Sequence, residues 1–479
     1  MHIHILGICG TFMGGVANLA KAAGHHVTGC DTQVYPPMST QLEQLGIALH
    51  EGFDPAQLDQ LQPDLFVIGN VVSRGNPLME AILARGLPYA SGPQWLADTL
   101  LRDYDVYAVA GTHGKTTTTS MLAWIFEHAG LAPGFLIGGV AMDFATSARL
   151  PGMPNAGARQ AGQRAPFVIE ADEYDTAFFD KRSKFVHYRP QVAILNNLEF
   201  DHADIFADLT AIETQFHHLV RTVPGNGALV VPRGNAALAR VLARGCWTPL
   251  HWLDARQGWW AAAGADDSEL LLLHDGAVVG HTRWQQLGAH NRANAAAAVV
   301  AAAYAGVQPA QALAALAEFR GVRRRMELIG CTREIDVYDD FAHHPTAIAT
   351  TLQGLRARAP HGRILAVVEP RSNTMKLGVW ADALATSLAA AERTFCYTAG
   401  LGWDPAKALS ALGSAASCHD TLPGLIEAIC AEAQSGDRIV IMSNGGFGGL
   451  HQQLLAALAA ADSKTPAAIA AVGVKFKET

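Results

Sequence analysis

The chain has 479 residues, 50% of them hydrophobic; one core cannot absorb that length, and at about 100–200 residues per domain roughly three domains are expected. The formal net charge of −8 argues against a nucleic-acid surface, because binding along a phosphate backbone needs a broad excess of Lys and Arg. Seven cysteines without a CxxC pair read as reduced thiols of a cytoplasmic protein, and the longest small-apolar run, Ala295 to Ala303, is well below the roughly 20 residues of a bilayer span, so no membrane insertion is expected.

The opening MHIHILGICG lacks the regions of a signal peptide and reads as a first β-strand, His2–Leu6. A glycine-rich turn and a helix from about Gly14 to Ala23 follow, then strands at His26–Gly29, ending at Asp31, and at Asp64–Ile68. The turn through Gly7, Gly10, Thr11, Met13 and Gly14 does not have the GxGxxG spacing of a dinucleotide site. It is either a structural turn or a helix N-terminus suited to a diphosphate. Arg102–Asp105 is a polar joint. A second stretch starts at Val106–Ala110, runs through GTHGKTTT into a helix to about His128, and has strands at Phe167–Glu170 and Val192–Asn196. Thr146–Pro166 reads as a surface loop, and Gly225–Leu287 as a small antiparallel appendage containing the hairpin-like LLLLHDGAVVGHT. A third stretch begins near Gly321, with strands at Ile335–Tyr338, Ile364–Glu369, Arg393–Tyr397 and Arg438–Met442, and a loosely held tail follows from Asp462. The alternation of short apolar strands with helices predicts an α/β protein with mainly parallel sheets, divided at residues 1–104, 105–320 and 321–461, with 462–479 as the tail.

The segment Gly111-Thr112-His113-Gly114-Lys115-Thr116-Thr117 follows an apolar strand and opens a helix, the context of a phosphate-binding loop. Backbone N–H groups of such a turn cradle phosphate oxygens, Lys115 adds a positive charge, and the Thr116 hydroxyl can ligate Mg²⁺. Val109 stands where the full pattern has its first glycine. The transferred phosphoryl group needs metal ligands at neighbouring strand ends. Two acidic segments qualify: FVIEADEYD, with Glu170 at the strand end and Asp172, Glu173 and Asp175 in the same turn, and NNLEFDHAD, with Asn196, Asp201, His202 and Asp204. Acidic residues after strands are also common solvated turns; the phosphate loop beside these two favours metal and nucleotide chemistry.

GTHGKTTT, EADEYD, NNLEFDHAD, GAHNRANAAAA (Gly288 to Ala298) and YDDFAHHPTAI (Tyr338 to Ile348) occur in the order they have in Mur ligases, and the resemblance runs from residue 1 to about 460. YPPMST, SGPQWL, FFDKRSKFVHY, EPRSNTMK and SNGGFGG resemble the branch that recycles murein peptides more than the branch that adds L-alanine. The resemblance implies three domains: a Rossmann-like one for a UDP-substrate, a central P-loop ATPase, and a Rossmann-like C-terminal one that closes over the nucleotide and brings in the amine. It implies an ATP-dependent amide ligase with Mg²⁺ on Thr116, Glu170 and His202. His290, Asn291 and Asn294 match the adenine-binding motif, Asp340 and His344 a nucleotide-contacting motif, and Arg325 an arginine near the ATP phosphates; as residues alone, the Asn and Ala run could be a plain helix and the RRR run a solvated hinge.

The resemblance further implies UDP-N-acetylmuramate at the N-terminal glycine turn, with Asp31, Ser73 and Asn76 as further contacts. By the same resemblance, the amine partner would be the murein tripeptide L-Ala-γ-D-Glu-meso-diaminopimelate. Arg371, Ser372, Asn373 and Asn444, which follow strands of the third stretch, are candidates for the peptide's carboxylates, since the Arg fork binds a carboxylate bidentately; an interdomain ion pair is the alternative. Several Mur ligases carry a carbamylated lysine after the DHxD motif, whereas Asp201–Arg221 here contains no lysine. The other readings of the chain are an L-alanine-adding ligase, a folate or cyanophycin type of ligase, or a nucleotide-switched binding protein; a monomer is favoured.

Overall fold

The computed structural model describes residues 1–462 apart from 33, 35–37 and 160–161. Tyr35, Pro36 and Pro37 of the YPPMST motif, and residues 463–479 of the expected tail, lie outside the described residues. The chain divides into two compact units, one up to Arg323 and one from Arg324 onward.

The first unit opens with β1 (His2–Leu6), α1 (Thr11–Ala22), β2 (His26–Asp31), α2 (Met38–Gln44), β3 (Ala48–Glu51), α3 (Gln57–Leu61), β4 (Leu65–Ile68), α4 (Pro77–Ala84), β5 (Tyr89–Ser91) and α5 (Gly92–Thr99). Among the described residues, the five strands of this opening stretch form a parallel sheet in the order β3-β2-β1-β4-β5. Helix α1 starts three residues before the expected Gly14 because Gly10, in extended conformation, is already its N-cap. The short strands β3 and β5 escaped the sequence reading: both are edge strands without a buried apolar run.

The same unit continues with β6 (Asp105–Ala110), α6 (Lys115–His128), β7 (Gly134–Leu136), β8 (Ala148–Arg149), β9 (Pro166–Ala171), β10 (Asp175–Ala177), β11 (Asp180–Ser183), β12 (Val192–Leu195), α7 (Leu209–Val220), β13 (Ala228–Pro232), α8 (Ala236–Ala243), β14 (Leu250–Leu253), β15 (Trp259–Ala263), β16 (Glu269–His274), β17 (Ala277–Arg283), α9 (Gly288–Ala302) and α10 (Pro309–Glu318). Among the described residues, ten strands form one sheet, β17-β16-β15-β14-β13-β12-β6-β9-β7-β8. The expected appendage at Gly225–Leu287 is therefore a continuation of the central sheet: β13 and β14 join it in parallel, and only β16 and β17 run antiparallel to their neighbours. A short apolar strand does not reveal its direction; the crossover helix α8, capped by Asn235, sets it. The hairpin within this stretch is present, and Asp275 and Gly276, at φ 49° and 79°, turn it in the left-handed conformation that matches strand twist. Part of the expected loop at Thr146–Pro166 is edge strand β8.

One apolar cluster runs from the N-terminal sheet (Ile3, Ile5, Val67) through Leu100 and Leu101 to the face of the central sheet made by Ala108, Ile169 and Leu195. The opposite face, Val109, Val168 and Ile194, is covered through Leu122, Phe126, Ala297 and Leu316. The wholly buried Ala295–Ala302 run of α9 lies against α6, and its small side chains let the two helices approach closely.

The second unit holds β18 (Glu327–Thr332), β19 (Ile335–Asp340), α11 (Pro345–Arg358), β20 (Ile364–Val368), α12 (Asn373–Lys376), α13 (Ala381–Ser387), β21 (Arg393–Tyr397), α14 (Pro405–Ala408), β22 (Ala416–His419), α15 (Leu422–Glu432), β23 (Arg438–Met442) and α16 (Leu450–Asp462). The sheet order is β18-β19-β23-β20-β21-β22, parallel except for β18. Asp462, expected to begin the tail, is the last residue of α16.

His4 is fully buried in β1. Gln57 donates its amide N–H to the Gly52 carbonyl at 3.1 Å, which turns its oxygen toward His4 Nε2, also at 3.1 Å, while Thr28 Oγ1 lies 2.8 Å from Nδ1. Burial, followed by the neighbouring His50, lowers its pKa from 6.5 to about 3. Between those values the unfolded chain binds a proton that the folded chain refuses. Stability is therefore full above about pH 6.5 and is lost toward pH 3, by about 1.4 kcal/mol per pH unit for one proton. Replacing His4 by Gln is expected to remove about one proton from the uptake on opening this sheet between about pH 4 and 6; native-state hydrogen exchange of the β1 amides checks it, and an unchanged slope refutes it.

Candidate active site

The parallel sheet places β6 between β12 and β9, so three carboxyl-terminal strand ends open side by side. The phosphate loop leaves β6 and enters α6, whose first residue is Lys115. No side chain caps α6, and the first-turn N–H groups of a helix have no partner within it, so they are donors for an anion. Gly114 sits at φ 79°, and a Cβ there would lie 2.6 Å from Asn294 Oδ1 and 3.0 Å from Asn196 Nδ2. Val109, which replaces the first glycine of the full pattern, is a fully buried strand residue.

The loop is held from β12. Asn197 accepts the His113 N–H at 2.8 Å and donates to the His113 carbonyl at 3.1 Å, while the Thr112 hydroxyl accepts the Glu199 N–H at 2.9 Å. Asn196 donates to Thr118 Oγ1 at 2.9 Å and to Asn294 Oδ1 at 3.4 Å, and Asn294 donates to Asn291 Oδ1 at 3.2 Å. Two expected nucleotide residues, Asn291 and Asn294, thus belong to one amide chain with Asn196, and Gly114 packs against it. His290 is half-buried on the same helix, and Thr117 is buried on α6.

The acidic segments meet this loop at the charged end. Thr116 Oγ1 donates to Glu170 Oε1 at 3.1 Å, and Glu170 Oε2 accepts the Gly138 N–H at 2.7 Å. Lys115 Nζ lies 2.7 Å from Glu173 Oε2 and 3.9 Å from Asp172 Oδ1. His202 Nε2 lies 3.2 Å from Glu173 Oε1. Asp172, Glu173 and His202 each bring a possible ligand atom within 4.8 Å of the others. His202 is left-handed at φ 54°, a strained conformation for a side chain of its size. Burial by itself would lower the Lys115 and His202 pKa values, but Glu173, helped by the neighbouring acids, more than offsets it; the ammonium is held above its usual range and the imidazole is pushed up to about 9. Burial opposes ionisation of Glu173 and Asp172 in turn, and it is overcome by Lys115 and His202 at Glu173 and by Lys184 and Lys115 at Asp172, which hold both carboxyls low.

At the N-terminal turn, Gly7 adopts φ 77°, where a Cβ would meet Val71 Cγ2 at 2.6 Å. Gly10, Thr11 and Gly14 form the start of α1, again without a side-chain cap. Met13 points into the core at 5% exposure. Asp31 and Asn76 are engaged within the fold: Asp31 accepts the Cys9 N–H at 2.9 Å, and Asn76 caps α4 by accepting from Met79 at 3.1 Å. Ser73 is exposed beside them.

In the second unit, the Arg325 guanidinium lies over the Phe341 ring at 4.8 Å. Asp340 is buried and accepts the N–H groups of Met326 and Ala342, each at 2.8 Å. Its pKa is raised by burial against the pull of Arg325. His344 caps α11 and packs edge-on against Trp380 at 4.7 Å. Arg371 and Asn373 are exposed, Ser372 caps α12, and the Arg371 side chain occupies the space a side chain on Gly445 would need. Among the described residues, Asn444 Oδ1 is buried without a hydrogen-bond partner. Arg324, Glu173 and Lys184 were not singled out from the sequence. Arg324 donates to the carbonyls of Ser443 at 2.8 Å and Gly445 at 2.7 Å. A run of three arginines does not say which one turns inward, nor does a run of four acids.

Models of the Mur ligase family match all three stretches: its catalytic domain over residues 2–104, its middle domain over 109–302 and its glutamate ligase domain over 324–445. The chain is 53% identical, over 96% of its length and 98% of the relative's, to the UDP-N-acetylmuramate–L-alanyl-γ-D-glutamyl-meso-2,6-diaminoheptandioate ligase of Escherichia coli (strain K12). It is 35% identical, over 78% of each chain, to the UDP-N-acetylmuramate–L-alanine ligase of Roseiflexus castenholzii. Among solved structures, a murein peptide ligase from Psychrobacter arcticus 273-4 superposes with a TM-score of 0.74 at 47% identity, covering 98% of this chain and 100% of that one. The chain belongs to the Mur ligase family.

Proposed function

We propose that the protein joins the lactyl carboxylate of UDP-N-acetylmuramate to the amine of L-Ala-γ-D-Glu-meso-diaminopimelate, at the expense of ATP, in murein recycling in the cytoplasm. Residues 1–104 would hold the UDP-substrate, 105–320 the nucleotide, and 321–461 the incoming amine, with 462–479 as a tail and the monomer as the working form. The observation that carries this reading is the convergence of Lys115, Thr116, Glu170, Glu173 and His202 at adjacent strand ends, in a chain with the 53% identity given above.

The donor set, carboxylates with a hydroxyl and an imidazole, suits a hard divalent cation. Thr116, Glu170 and His202 would hold Mg²⁺, which when bound offsets charge on the transferring phosphoryl oxygens. The α6 N–H groups and Lys115 bind the triphosphate; Asn291 and Asn294 fix the adenine end with His290; Arg325, Asp340 and His344 contribute from the second unit. The lactyl carboxylate attacks the γ-phosphorus in line, forming an acyl phosphate as the bond to ADP breaks. The peptide amine then attacks the acyl carbon and phosphate leaves. Arg371, Ser372, Asn373 and Asn444 would orient the peptide's carboxylates, and the unpartnered oxygen of Asn444 is open to a donor such as the peptide N–H. Water must be excluded throughout, because the acyl phosphate hydrolyses.

ADP release and amide product, followed by mass spectrometry with UDP-N-acetylmuramate fixed and amines varied, test the assignment: the tripeptide is expected to support turnover and L-alanine not, and the reverse result moves the protein to the alanine-adding branch. Lys115→Met is expected to lower tripeptide-dependent ADP release by about 100- to 1000-fold, the range for losing one group that stabilises transition-state charge, whereas turnover within tenfold of wild type removes Lys115 from the mechanism. Gly114→Ala places a methyl group against Asn294 in left-handed backbone; it is expected to cost about 1–2 kcal/mol from the backbone alone and to weaken ATP binding, as read by thermal melting with and without ATP.

A further inference from the structure

Lys184 has no role in the machinery described so far. Its side chain is 9% exposed, and its Nζ lies 2.8 Å from Asp172 Oδ2. It follows the β10–β11 hairpin, where the Ser183 N–H donates to Gln215 at 3.1 Å, the Ser183 hydroxyl to the Glu173 carbonyl, and the Lys184 N–H to the Tyr174 carbonyl, also at 3.1 Å. Its backbone is therefore fixed to the turn that carries Glu173. The ammonium is flanked by the rings of Tyr174 at 5.4 Å and Phe12 at 5.5 Å. Phe12 is the second residue of α1, directly behind the N-terminal glycine turn. Asp172 also faces Lys115, at 3.9 Å from its other oxygen. Lys184 thus stands between the turn assigned to the sugar diphosphate and the loop assigned to ATP.

An ammonium carries three N–H donors. Among the described residues, the side-chain hydrogen bond of Lys184 goes to Asp172 alone, and its aromatic neighbours offer π-faces rather than oxygen acceptors. A buried cation with spare donors, between two anion sites, is a receptor for a further anion. Resting on the function proposed above, we propose that Lys184 binds the lactyl carboxylate of UDP-N-acetylmuramate and is a substrate-binding, catalytic residue of the first step. The ammonium stays protonated throughout. It offsets the carboxylate charge while one carboxylate oxygen forms its bond to the γ-phosphorus, the bond from phosphorus to the ADP oxygen breaks, and that electron pair leaves with ADP.

The test uses two ligands that differ in the lactyl carboxylate, UDP-N-acetylmuramate and UDP-N-acetylglucosamine, measured by calorimetry with competition for the weaker one. Wild type is expected to prefer the carboxylate-bearing ligand by about 10- to 100-fold, the range of a hydrogen bond to a charged group. Lys184→Met should lose that preference with its affinity for UDP-N-acetylglucosamine unchanged, and Lys184→Arg should keep part of it. Lys184→Gln replaces the Met variant if that one does not fold. A merely structural lysine would weaken both ligands equally. That result, or a preference that survives in Lys184→Met, or its absence in an active wild type, overturns the proposal. A wild type that forms no amide from UDP-N-acetylmuramate and the tripeptide instead overturns the functional reading beneath it.

Discussion

Glu173, with 2% of its side chain exposed, holds Lys115 at 2.7 Å and His202 at 3.2 Å through its two oxygens. A carboxylate buried to that degree is tolerable only when it is paired, since removing one partner of a buried ion pair costs about 3–5 kcal/mol. The consequence is architectural. The phosphate-loop lysine and the histidine of NNLEFDHAD come from different strand ends, and a single side chain from a third fixes both. Asp172 extends the chain on the other side, between Lys115 and Lys184. The charges alternate from His202 through Glu173, Lys115 and Asp172 to Lys184, so each cation meets an anion and no buried charge stands alone.

This alternation is possible because parallel strands deliver their loops to one edge. β9, β6 and β12 are neighbours although they are separated in sequence by up to about eighty residues, and the crossovers keep all three carboxyl ends together. The backbone at that edge is set by asparagines: Asn197 grips both sides of His113, and Asn196 ties α6 to α9. The alanine face of α9 serves the same end, since larger side chains there would push Asn294 away from Gly114.

What was legible in the sequence follows from what repeats locally. The β6–loop–α6 unit, the strands before Glu170 and Asn196, and the third unit's β20, β21 and β23 announce themselves through apolar runs ended by glycine or polar residues. The edge strands β3, β5, β18 and β22 do not, because an edge strand need not bury an apolar run. Nor was the parallel course of β13 and β14 readable, since direction belongs to the crossover and not to the strand. In the site, residue types were legible and their orientation was not. EADEYD announces a cluster of acids, but the inward turn of Glu173 is a property of the hairpin that follows it. Asp31 and Asn76 read as ligand contacts, and nothing in the sequence signals that an oxygen of each also accepts a backbone N–H within the fold.

Acyl-phosphate formation brings together two anions, a carboxylate and a triphosphate. Two like charges about 4 Å apart repel by about 4 kcal/mol at an effective dielectric constant near 20, and the polyanion multiplies that figure. A cation in front of only one of them leaves the other to pay the desolvation. The alternating chain has a lysine at each place: Lys115 opens α6 beside the phosphate loop, and Lys184 lies 5.5 Å from the Phe12 ring behind the glycine turn. Asp172, between them, offsets the repulsion of the two ammonium groups. Glu173, far more deeply buried than Asp172 and held by Lys115 and His202, is the fixed point of this chain of charges.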